Sequence, residues 1–373
     1  MNVFKTDALI IGGGPAGASA ALSLLTYSKL SVCLVEQSTL DQVRVGEHVS
    51  ASIFELLAYL KLEKSDFDVD CFQPSYGNTS YWGSDYPIAR ETIFTSDYAT
   101  YQLNRSTFDL TLLEKVMERG GTILPRTKCV QMEQDESQLW NIVLKHAEEG
   151  EIRIQARYLI DATGRKATIA RQLGITTEKY DQLVGVGAFL KFDDQRTLEQ
   201  HQVLETCEQG WWYHAVLPDA TIATVFFSDA DIVSKHRLSQ LDAWNELLAN
   251  TKQIKKYTSG ARSLSPNLWV RNAFSQISNA AGQPKFLAIG DAAVAFDPIS
   301  SMGIGFAITS ACRAATLVIG ELSDKTTEKD ASTAKQQYQQ DLIQNFNQYL
   351  QLRQQFYSKE KRWLTADFWA RRN

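Results

Sequence analysis

The segment Ala8-Leu9-Ile10-Ile11-Gly12-Gly13-Gly14-Pro15-Ala16-Gly17 decides the fold class of this chain. Its four leading apolar residues predict a short buried strand, and the turn that follows contains G-x-G-x-x-G at the start of a predicted helix. Gly12 permits the tight turn, Gly14 lets the backbone approach a pyrophosphate, and Gly17 lets the helix lie against the strand. The first helical turn, with Pro15 and Ala16, would present unbonded N–H groups to the phosphates. The segment therefore predicts a Rossmann-like dinucleotide-binding unit.

Glu36 supports this interpretation and narrows the choice of cofactor. A second apolar run, residues 31–35, ends at Glu36, about 20 residues beyond Gly17, where an acidic side chain accepts hydrogen bonds from an adenosine ribose. A carboxylate at this position repels the 2′-phosphate of NADP, which leaves FAD or NAD. Membrane insertion of the uncharged residues 8–25 is the alternative, but three consecutive glycines and a proline make a poor membrane-spanning helix.

The overall composition excludes several functional classes. With 38 basic and 43 acidic residues the net charge is -5, which gives no electrostatic case for binding nucleic acid or an anionic membrane. The cysteines are widely spaced, odd in number and without a C-x-x-C pair, so neither a disulfide framework nor a zinc site is expected. The same cysteine pattern favours a reducing, cytoplasmic location. Because the first predicted strand begins close to the N-terminus, we expect no signal peptide or transit segment before it.

A second diagnostic stretch lies at residues 285–307. A predicted strand ends in G-D-A-A at Gly290 and Asp291, and D-P-x-x-x-x-G then opens an apolar helix. We expect the Asp291 carboxylate to bond a ribityl hydroxyl of a flavin. The turn at Pro298 leads into the helix, and its first residues, Gly303 and Ile304, would face the pyrimidine edge, where reduction places negative charge on N1 and O2. This stretch favours FAD as the cofactor.

Two segments between these motifs resemble parts of known flavoproteins. The first contains Arg44, Glu47 and His48 and resembles the G-E-x signature of flavin-dependent halogenases and their relatives, where it runs from the adenosine towards the flavin ring. The alternative is a charged loop that caps a helix predicted over residues 51–60. The second contains Arg105 before x-x-F-D and resembles the flavoprotein arginine that reaches the pyrophosphate and ribityl region. The alternative is a salt-bridged start of a helix predicted over residues 110–119.

A third segment, Asp161-Ala162-Thr163-Gly164, follows an apolar strand and resembles the motif that borders the adenosine side of FAD domains. Together these motifs resemble the p-hydroxybenzoate-hydroxylase-like FAD superfamily over nearly the whole chain. The resemblance implies that Asp161 and Gly164 belong to the FAD-binding site, together with the residues named above.

The same resemblance implies an α/β fold, α+β overall, in which a discontinuous Rossmann-like FAD-binding domain is interleaved with a mostly antiparallel β-sheet domain that covers the flavin. We predict an FAD-binding domain of residues 1–75, 101–180 and 270–325, a substrate domain of residues 76–100 and 181–269, and a helical C-terminal segment of residues 326–373. The sequence contains no second dinucleotide fingerprint. Electrons would therefore come from transiently bound NAD(P)H, from a reductase or from a bound reductant.

The sequence motifs do not specify which residues are catalytic. His48 is a candidate in the G-E-x segment, and Trp211, Tyr213 and His214 are candidates on a predicted strand of the covering sheet. Strand alternation places Trp211 and Tyr213 on one face and His214 on the other. The aromatic residues form either a stacking wall beside the substrate or the core of the sheet. The apolar stripe predicted within residues 333–361 also has two possible roles. It packs on its own domain or docks a protein partner.

The G-E-x segment, the G-W-W-Y-x-x-x-L-P run and the G-D-A-A loop look like the halogenase and geranylgeranyl-reductase branch of the superfamily. Two departures count against a halogenase. Halogenases carry a lysine after G-E-x that handles hypohalous acid, and this chain has no lysine between Lys64 and Lys115. Their W-x-W-x-I-P motif is also altered, because Tyr213 replaces the second tryptophan.

The segments Gly46-Glu47-His48, Tyr81-Trp82-Gly83 and Trp211-Trp212-Tyr213 are most similar to flavoproteins that accompany quinoprotein amino-acid oxidases of the lysine ε-oxidase and glycine oxidase type. Those oxidases carry cysteine tryptophylquinone. The resemblance implies a precursor oxidase as the protein substrate, whose tryptophan must be oxygenated and joined to a cysteine. A small-molecule monooxygenase or halogenase-like enzyme is one alternative, and a flavin-containing maturation chaperone without catalysis is another.

Overall fold

The computed structural model describes residues 3–40, 44–75, 77–89, 100–194, 198 and 200–373. Its strands are β1 (Phe4–Ile11), β2 (Val32–Val35), β3 (His48–Ser50), β4 (Phe72–Ser75), β5 (Gly77–Tyr81), β6 (Ile88–Ala89), β7 (Thr100–Leu103), β8 (Thr122–Leu124), β9 (Thr127–Gln134), β10 (Trp140–His146), β11 (Gly150–Asp161), β12 (Thr177–Lys179), β13 (Leu183–Lys191), β14 (His201–Cys207), β15 (Gly210–Val216), β16 (Ile222–Asp229), β17 (Arg262–Ser263), β18 (Trp269–Asn272), β19 (Gln276–Ser278), β20 (Phe286–Ala288) and β21 (Val294–Ala295). Its helices are α1 (Pro15–Tyr27), α2 (Ile53–Tyr59), α3 (Arg105–Glu118), α4 (Thr168–Gln172), α5 (Ala230–Lys235), α6 (Leu241–Ala249), α7 (Ile254–Thr258), α8 (Gly303–Glu321), α9 (Glu328–Tyr357) and α10 (Asp367–Ala370).

The first sheet contains the predicted Rossmann-like unit. Its strand order is β8-β2-β1-β11-β10-β9, and β20 pairs with β11 outside this path. The pairs of β1 with β2 and β11, of β2 with β8, and of β11 with β20 are parallel. Parallel strands that are covered on both faces consist of continuous buried apolar residues, which is what residues 8–11 of β1, β2 and β20 show. The predicted fold class is confirmed.

The carboxyl ends of these parallel strands bring the sequence motifs to one edge. The glycine turn follows β1, Glu36 follows β2, the D-A-T-G turn follows β11, and the G-D-A-A turn follows β20. Ligands of open parallel sheets bind outside the carboxyl ends of the strands. The topology therefore gathers four distant segments at one candidate site.

The predicted helices are present, with one shifted start. α1 begins at Pro15 and α2 lies within the predicted residues 51–60. α3 begins at Arg105, ahead of the predicted residue 110, because Asn104 caps it. The Asn104 Oδ1 atom accepts hydrogen bonds from the backbone N–H groups of Ser106 and Thr107, at 3.2 and 3.3 Å.

The second large sheet has the order β17-β13-β16-β15-β14-β5-β6, with β18 paired to β13. Apart from the parallel pair of β14 and β5, its pairs are antiparallel. One face carries Trp212 and packs with Trp244 of α6, whereas the other carries Trp211 and packs with Trp369 of α10. The limits of the predicted domains stay a prediction, and β18 runs across the limit set at residue 269.

The C-terminal segment is helical and packs on the rest of the chain. The apolar stripe of α9 is buried, and its members Tyr338, Leu342, Phe346 and Tyr349 belong to the main hydrophobic core. Beyond α9, Phe368 and Trp369 are fully buried. The stripe therefore serves internal packing. α8 is apolar and long enough to cross a membrane by length and composition alone, but half of it is buried in the fold, and core helices satisfy the same test.

Candidate functional site

The glycine turn contains two glycines that the fold itself requires and one that faces open space. Gly12 has a φ of 116°, and an added Cβ would lie 2.2 Å from the carbonyl oxygen of Ala162. A Cβ on Gly17 would lie 1.8 Å from the carbonyl oxygen of Gly12. A Cβ on Gly14 would meet only the Arg44 Nη1 atom, at 3.8 Å. α1 has neither a side-chain cap nor an acid in its first turn, so its N–H groups and the open backbone at Gly14 suit a phosphate.

Glu36 holds the glycine turn and keeps acceptor capacity. Its Oε2 atom accepts a hydrogen bond from the Gly13 N–H at 2.6 Å, and its Oε1 atom accepts one from the Ser38 N–H at 2.8 Å. An ionised carboxylate offers about four acceptor positions. The remaining ones are suited to the hydroxyls of an adenosine ribose, as the sequence predicts.

Arg44 and Arg105 form a cationic cluster beside the glycine turn. Asp109 binds both guanidinium groups, with Arg44 Nη1 and Arg105 Nη2 each 2.9 Å from Oδ2. Arg105 also donates to the carbonyl oxygens of Val45 and Gly46, at 2.7 and 3.0 Å. The salt-bridged helix start considered for Arg105 is therefore present. The Arg44 guanidinium, held by Asp109, lies next to Gly14, where it can pair with a pyrophosphate.

Asp161 is fully buried and makes its hydrogen bonds inside the D-A-T-G turn. Its carboxylate accepts from the Thr163 N–H and hydroxyl, at 2.9 and 2.6 Å, and from the Ala170 N–H at 2.8 Å. Burial raises the pKa of Asp161, against the opposing effect of these bonds. The structure thus places Asp161 in a turn-shaping position, while Gly164 lies next to it on the turn with a φ of 67°.

The G-D-A-A turn contacts both α1 and an arginine that the sequence motifs did not single out. A Cβ on Gly290 would lie 2.7 Å from the Ala16 side chain, so this glycine permits close packing on α1. Arg165, directly after Gly164, donates from Nε to Asp291 Oδ2 at 3.1 Å and from Nη2 to the Phe296 carbonyl at 2.6 Å. Arg165 therefore joins two turns of the site, and its position after D-A-T-G is the signal that could have indicated it.

The D-P turn lies directly before the first turn of α8. Asp297 caps the turn by accepting from the Ile299 N–H at 3.0 Å, and Pro298 follows it. α8 begins at Gly303 with neither a side-chain cap nor an acid in its first turn. A Cβ added to Gly303 would meet no atom within 4 Å among the described residues. The N–H groups of Gly303 and Ile304 are thus available for the pyrimidine edge of a flavin.

Asp297 is anchored by the C-terminal helix, which the sequence motifs did not reveal. Its Oδ2 atom accepts from the Tyr357 hydroxyl at 2.8 Å and lies 3.6 Å from Arg353 Nε, while its N–H donates to the Tyr349 hydroxyl at 2.7 Å. Burial alone would lower the pKa of Arg353, but Asp297 and Asp181 raise it, so Arg353 stays charged. α9 therefore fixes the turn that leads into α8.

The G-E-x segment meets the same turn. The Nδ1 atom of His48 lies 3.0 Å from the Ser301 hydroxyl, which joins β3 to the loop before α8. Glu47, 5% exposed, has an Oε1 atom without a hydrogen-bond partner among the described residues. A buried carboxyl oxygen in this position can accept a hydrogen bond from a hydroxyl or N–H group of a cofactor.

A cavity of about 490 Å³ lies beside this loop. It is bounded by β3 and α2, by residues 301–309 and by α9, and its size falls in the range of small-molecule sites. The cavity places open space next to the predicted position of the flavin ring.

The structure places the four catalytic candidates in different surroundings. Trp211 is buried, donates from Nε1 to the Tyr357 hydroxyl at 3.0 Å and stacks on Phe227. Tyr213 shares this face, whereas His214 is buried on the opposite face beside Tyr257. The predicted alternation is correct, but Trp211 belongs to the core of the sheet and His214 faces away from the loop before α8. His48 forms a hydrogen bond with Ser301 of that loop, and Trp211 and Tyr213 belong to the same hydrophobic cluster as Ile299 in the turn before it.

We predict an unusual pH dependence from Glu47. Burial raises its pKa from an ordinary 4.5 to about 7, although Arg105 opposes the shift. Between these two pH values the unfolded state ionises while the folded state keeps its proton, so stability falls as pH rises, by up to about 3 kcal/mol. Glu47→Gln should flatten this dependence in FAD-free protein and raise the melting temperature at pH 8 more than at pH 4.5. Equal shifts at both pH values would contradict the buried neutral carboxyl.

A phosphate-binding turn and an uncapped helix at one sheet edge suit a molecule with a pyrophosphate in its middle and a flavin at one end. Open backbone at Gly14 and Gly303, the arginine pair and the orphaned oxygen of Glu47 fit FAD. This is the site of an FAD-dependent oxidoreductase. The chain belongs to the FAD binding domain family, whose model matches residues 5–340. The match confirms the superfamily and the cofactor inferred from the motifs.

Comparisons with individual proteins agree with this assignment. The chain is 44% identical, over 367 residues, to LodB of Marinomonas mediterranea, which is named as an FAD-dependent oxidoreductase. The match covers 98% of this chain and 96% of LodB. The flavin-dependent halogenase CmlS shares the fold with a TM-score of 0.85 and 23% identity, over 100% of this chain and 68% of CmlS. QhpG, described as a peptidyl tryptophan dihydroxylase essential for tryptophylquinone cofactor biogenesis, shares it with a TM-score of 0.73 and 21% identity, over 99% and 78%.

Proposed function

We propose that this protein oxygenates a tryptophan side chain of a precursor protein during formation of a cysteine tryptophylquinone cofactor in a partner amino-acid oxidase. The likeness to QhpG over nearly the whole chain carries this proposal, since QhpG is described as acting on a peptidyl tryptophan. The likeness to LodB, over 98% of this chain and 96% of LodB, supports the part of the proposal that makes this chain an FAD-dependent oxidoreductase. The absence of a lysine between Lys64 and Lys115 favours oxygenation over halogenation. We place the reaction in the cytoplasm.

Bound FAD, once reduced by NAD(P)H or by a reductase, would supply activated oxygen at the cavity beside the loop before α8. For each oxygen atom placed on the indole, one O₂ and two electrons are consumed and the second oxygen atom leaves as water. The N–H groups at the start of α8, at Gly303, would hold the pyrimidine edge of the flavin and stabilise negative charge there. His48 holds Ser301, and with it the start of α8, at the position that this stabilisation requires.

Co-expression with a precursor oxidase tests the proposal. We expect mass spectrometry to show added oxygen on the precursor tryptophan only when this chain is present. The FAD-free variant Gly14→Val should leave the precursor unmodified. Modification that persists with that variant would favour the chaperone without catalysis. Purified protein that consumes NAD(P)H faster with a free aromatic compound, and leaves the precursor unchanged, would favour the small-molecule monooxygenase.

A further inference from the structure

The small sheet of β3, β7 and β4 has one apolar and one polar face. Residues Val49, Tyr101, Leu103 and Phe72 share the apolar face and belong to, or pack against, the main core. In the cross-strand register, His48 lies opposite Gln102 and Gln102 opposite Gln73, while Ser50 lies opposite Thr100 and Thr100 opposite Ser75. Residues directly opposite each other point to the same side of a sheet. The second face therefore consists of six polar residues.

This polar face is turned inward, towards the candidate site. Gln102 is 3% exposed and Thr100 is 4% exposed. The hydrogen bond between His48 and Ser301 shows that the polar face contacts the loop before α8. At its other end, Asn78 of β5 donates to the Thr100 hydroxyl at 3.4 Å, which joins the polar face to the large covering sheet. Gln202 is the neighbour of Asn78 in that sheet.

Several carboxamide atoms in this region lack partners. Both side-chain amide atoms of Gln102 and of Gln202, together with Gln73 Oε1, make no hydrogen bond to any described residue. Gln202 is 2% exposed. A buried amide without a partner costs about 1–3 kcal/mol, so folded proteins rarely keep one without a reason. These two glutamines lie on faces that meet at the Asn78–Thr100 hydrogen bond, and together they offer donors and acceptors to a bound polar ligand.

We infer that Gln102 and Gln202 bind the backbone amides of the peptide that carries the reactive indole, so that the site selects a neutral peptide over a free amino acid or an aromatic acid. This inference rests on the proposed function. A carboxamide offers a donor and an acceptor, which match the C=O and N–H groups of a peptide. The polar face carries no lysine or arginine that could pair with a substrate carboxylate.

Ligand titration of the FAD-loaded protein tests the inference. The probes are N-acetyltryptophanamide, free tryptophan and indole-3-acetate, followed by the change in flavin absorbance. We expect the neutral amide to bind most tightly. Gln102→Met and Gln202→Met should each weaken its binding about 10-fold, because each removes one or two hydrogen bonds without a large change in volume. Gln344→Met, at an exposed position of α9, is the matched control and should bind normally.

Stability separates ligand binding from a structural role. Since the variants remove orphaned amides, Gln102→Met and Gln202→Met should melt at or above the temperature of the unmodified protein without ligand. Lower melting temperatures with unchanged binding, or loss of FAD, would overturn the inference. So would tighter binding of indole-3-acetate than of the neutral amide.

The precursor assay distinguishes failure of this inference from failure of the proposed function. If the unmodified chain oxygenates the precursor and both methionine variants do so with the same KM, the glutamines do not bind substrate, and only the inference fails. If the unmodified chain leaves the precursor unchanged, the proposed function fails, whatever the titrations show.

Discussion

Gly14→Val is expected to give a folded protein without flavin. Gly14 has a φ of -77°, which any residue adopts, and an added Cβ would meet only Arg44 Nη1 at 3.8 Å. The larger side chain would nevertheless occupy the space through which a pyrophosphate approaches the first turn of α1. Loss of two charge-assisted hydrogen bonds, at about 1.5–3 kcal/mol each, would weaken FAD binding by on the order of 100-fold or more. Flavin absorbance of the purified protein and titration with added FAD measure this loss.

Two further glycines provide the controls for this experiment. Gly12→Val should fail to fold, because the φ of 116° and the 2.2 Å approach to the Ala162 carbonyl leave no place for a side chain. Gly320→Val, where an added Cβ meets no described atom within 4 Å, should keep both fold and FAD. Circular dichroism reports the fold in each case. A Gly14→Val protein that is purified with a full complement of FAD would refute the assignment of the phosphate site.

The parts of the site that depend on local sequence were predictable. The glycine turn, Glu36 and the start of α8 are each specified by a few consecutive residues, and the sheet topology brings them together as expected for this fold. The predicted alternation of Trp211 and His214 was also correct, because side-chain direction in a strand follows from residue number alone. What covers each face was not predictable, since the covering elements, α10 and α6, lie far away in the sequence.

The remaining features depend on pairings between distant segments. The polar face of the small sheet arises because His48, Gln102 and Gln73 meet in one register, and none of their local sequences indicates that register. Arg165 and Arg353 likewise form ion pairs with residues that are distant in the sequence, Asp291 and Asp297. The apolar stripe of α9 indicated a packing surface, but the sequence did not indicate which part of the chain or which partner covers it.

The buried ion pair at the D-P turn leads to a second prediction with a large expected effect on stability. Asp297→Ala is expected to lower the free energy of unfolding by about 3–5 kcal/mol, because Arg353 would keep its charge in a buried position and lose one of its two carboxylates. The substitution also removes the cap of the turn, so FAD binding should weaken with it. Urea unfolding followed by tryptophan fluorescence measures the change.

Tyr357→Phe is the matched control, because it removes hydrogen bonds to Asp297 and Trp211 and leaves the ion pair in place. Its expected cost is about 2–3 kcal/mol, because one of the two lost hydrogen bonds goes to a carboxylate and the other is a neutral bond. Combining Asp297→Ala with Arg353→Met should cost less than the sum of the two single variants, since each single variant leaves one member of this pair without the other, whereas the loss of Arg353 beside Asp181 is the same in Arg353→Met and in the double variant. Strict additivity would show that Arg353 and Asp297 do not stabilise each other. The turn before α8 would then owe its position to its hydrogen bonds alone, those of Asp297 with Ile299 and Tyr357 among them.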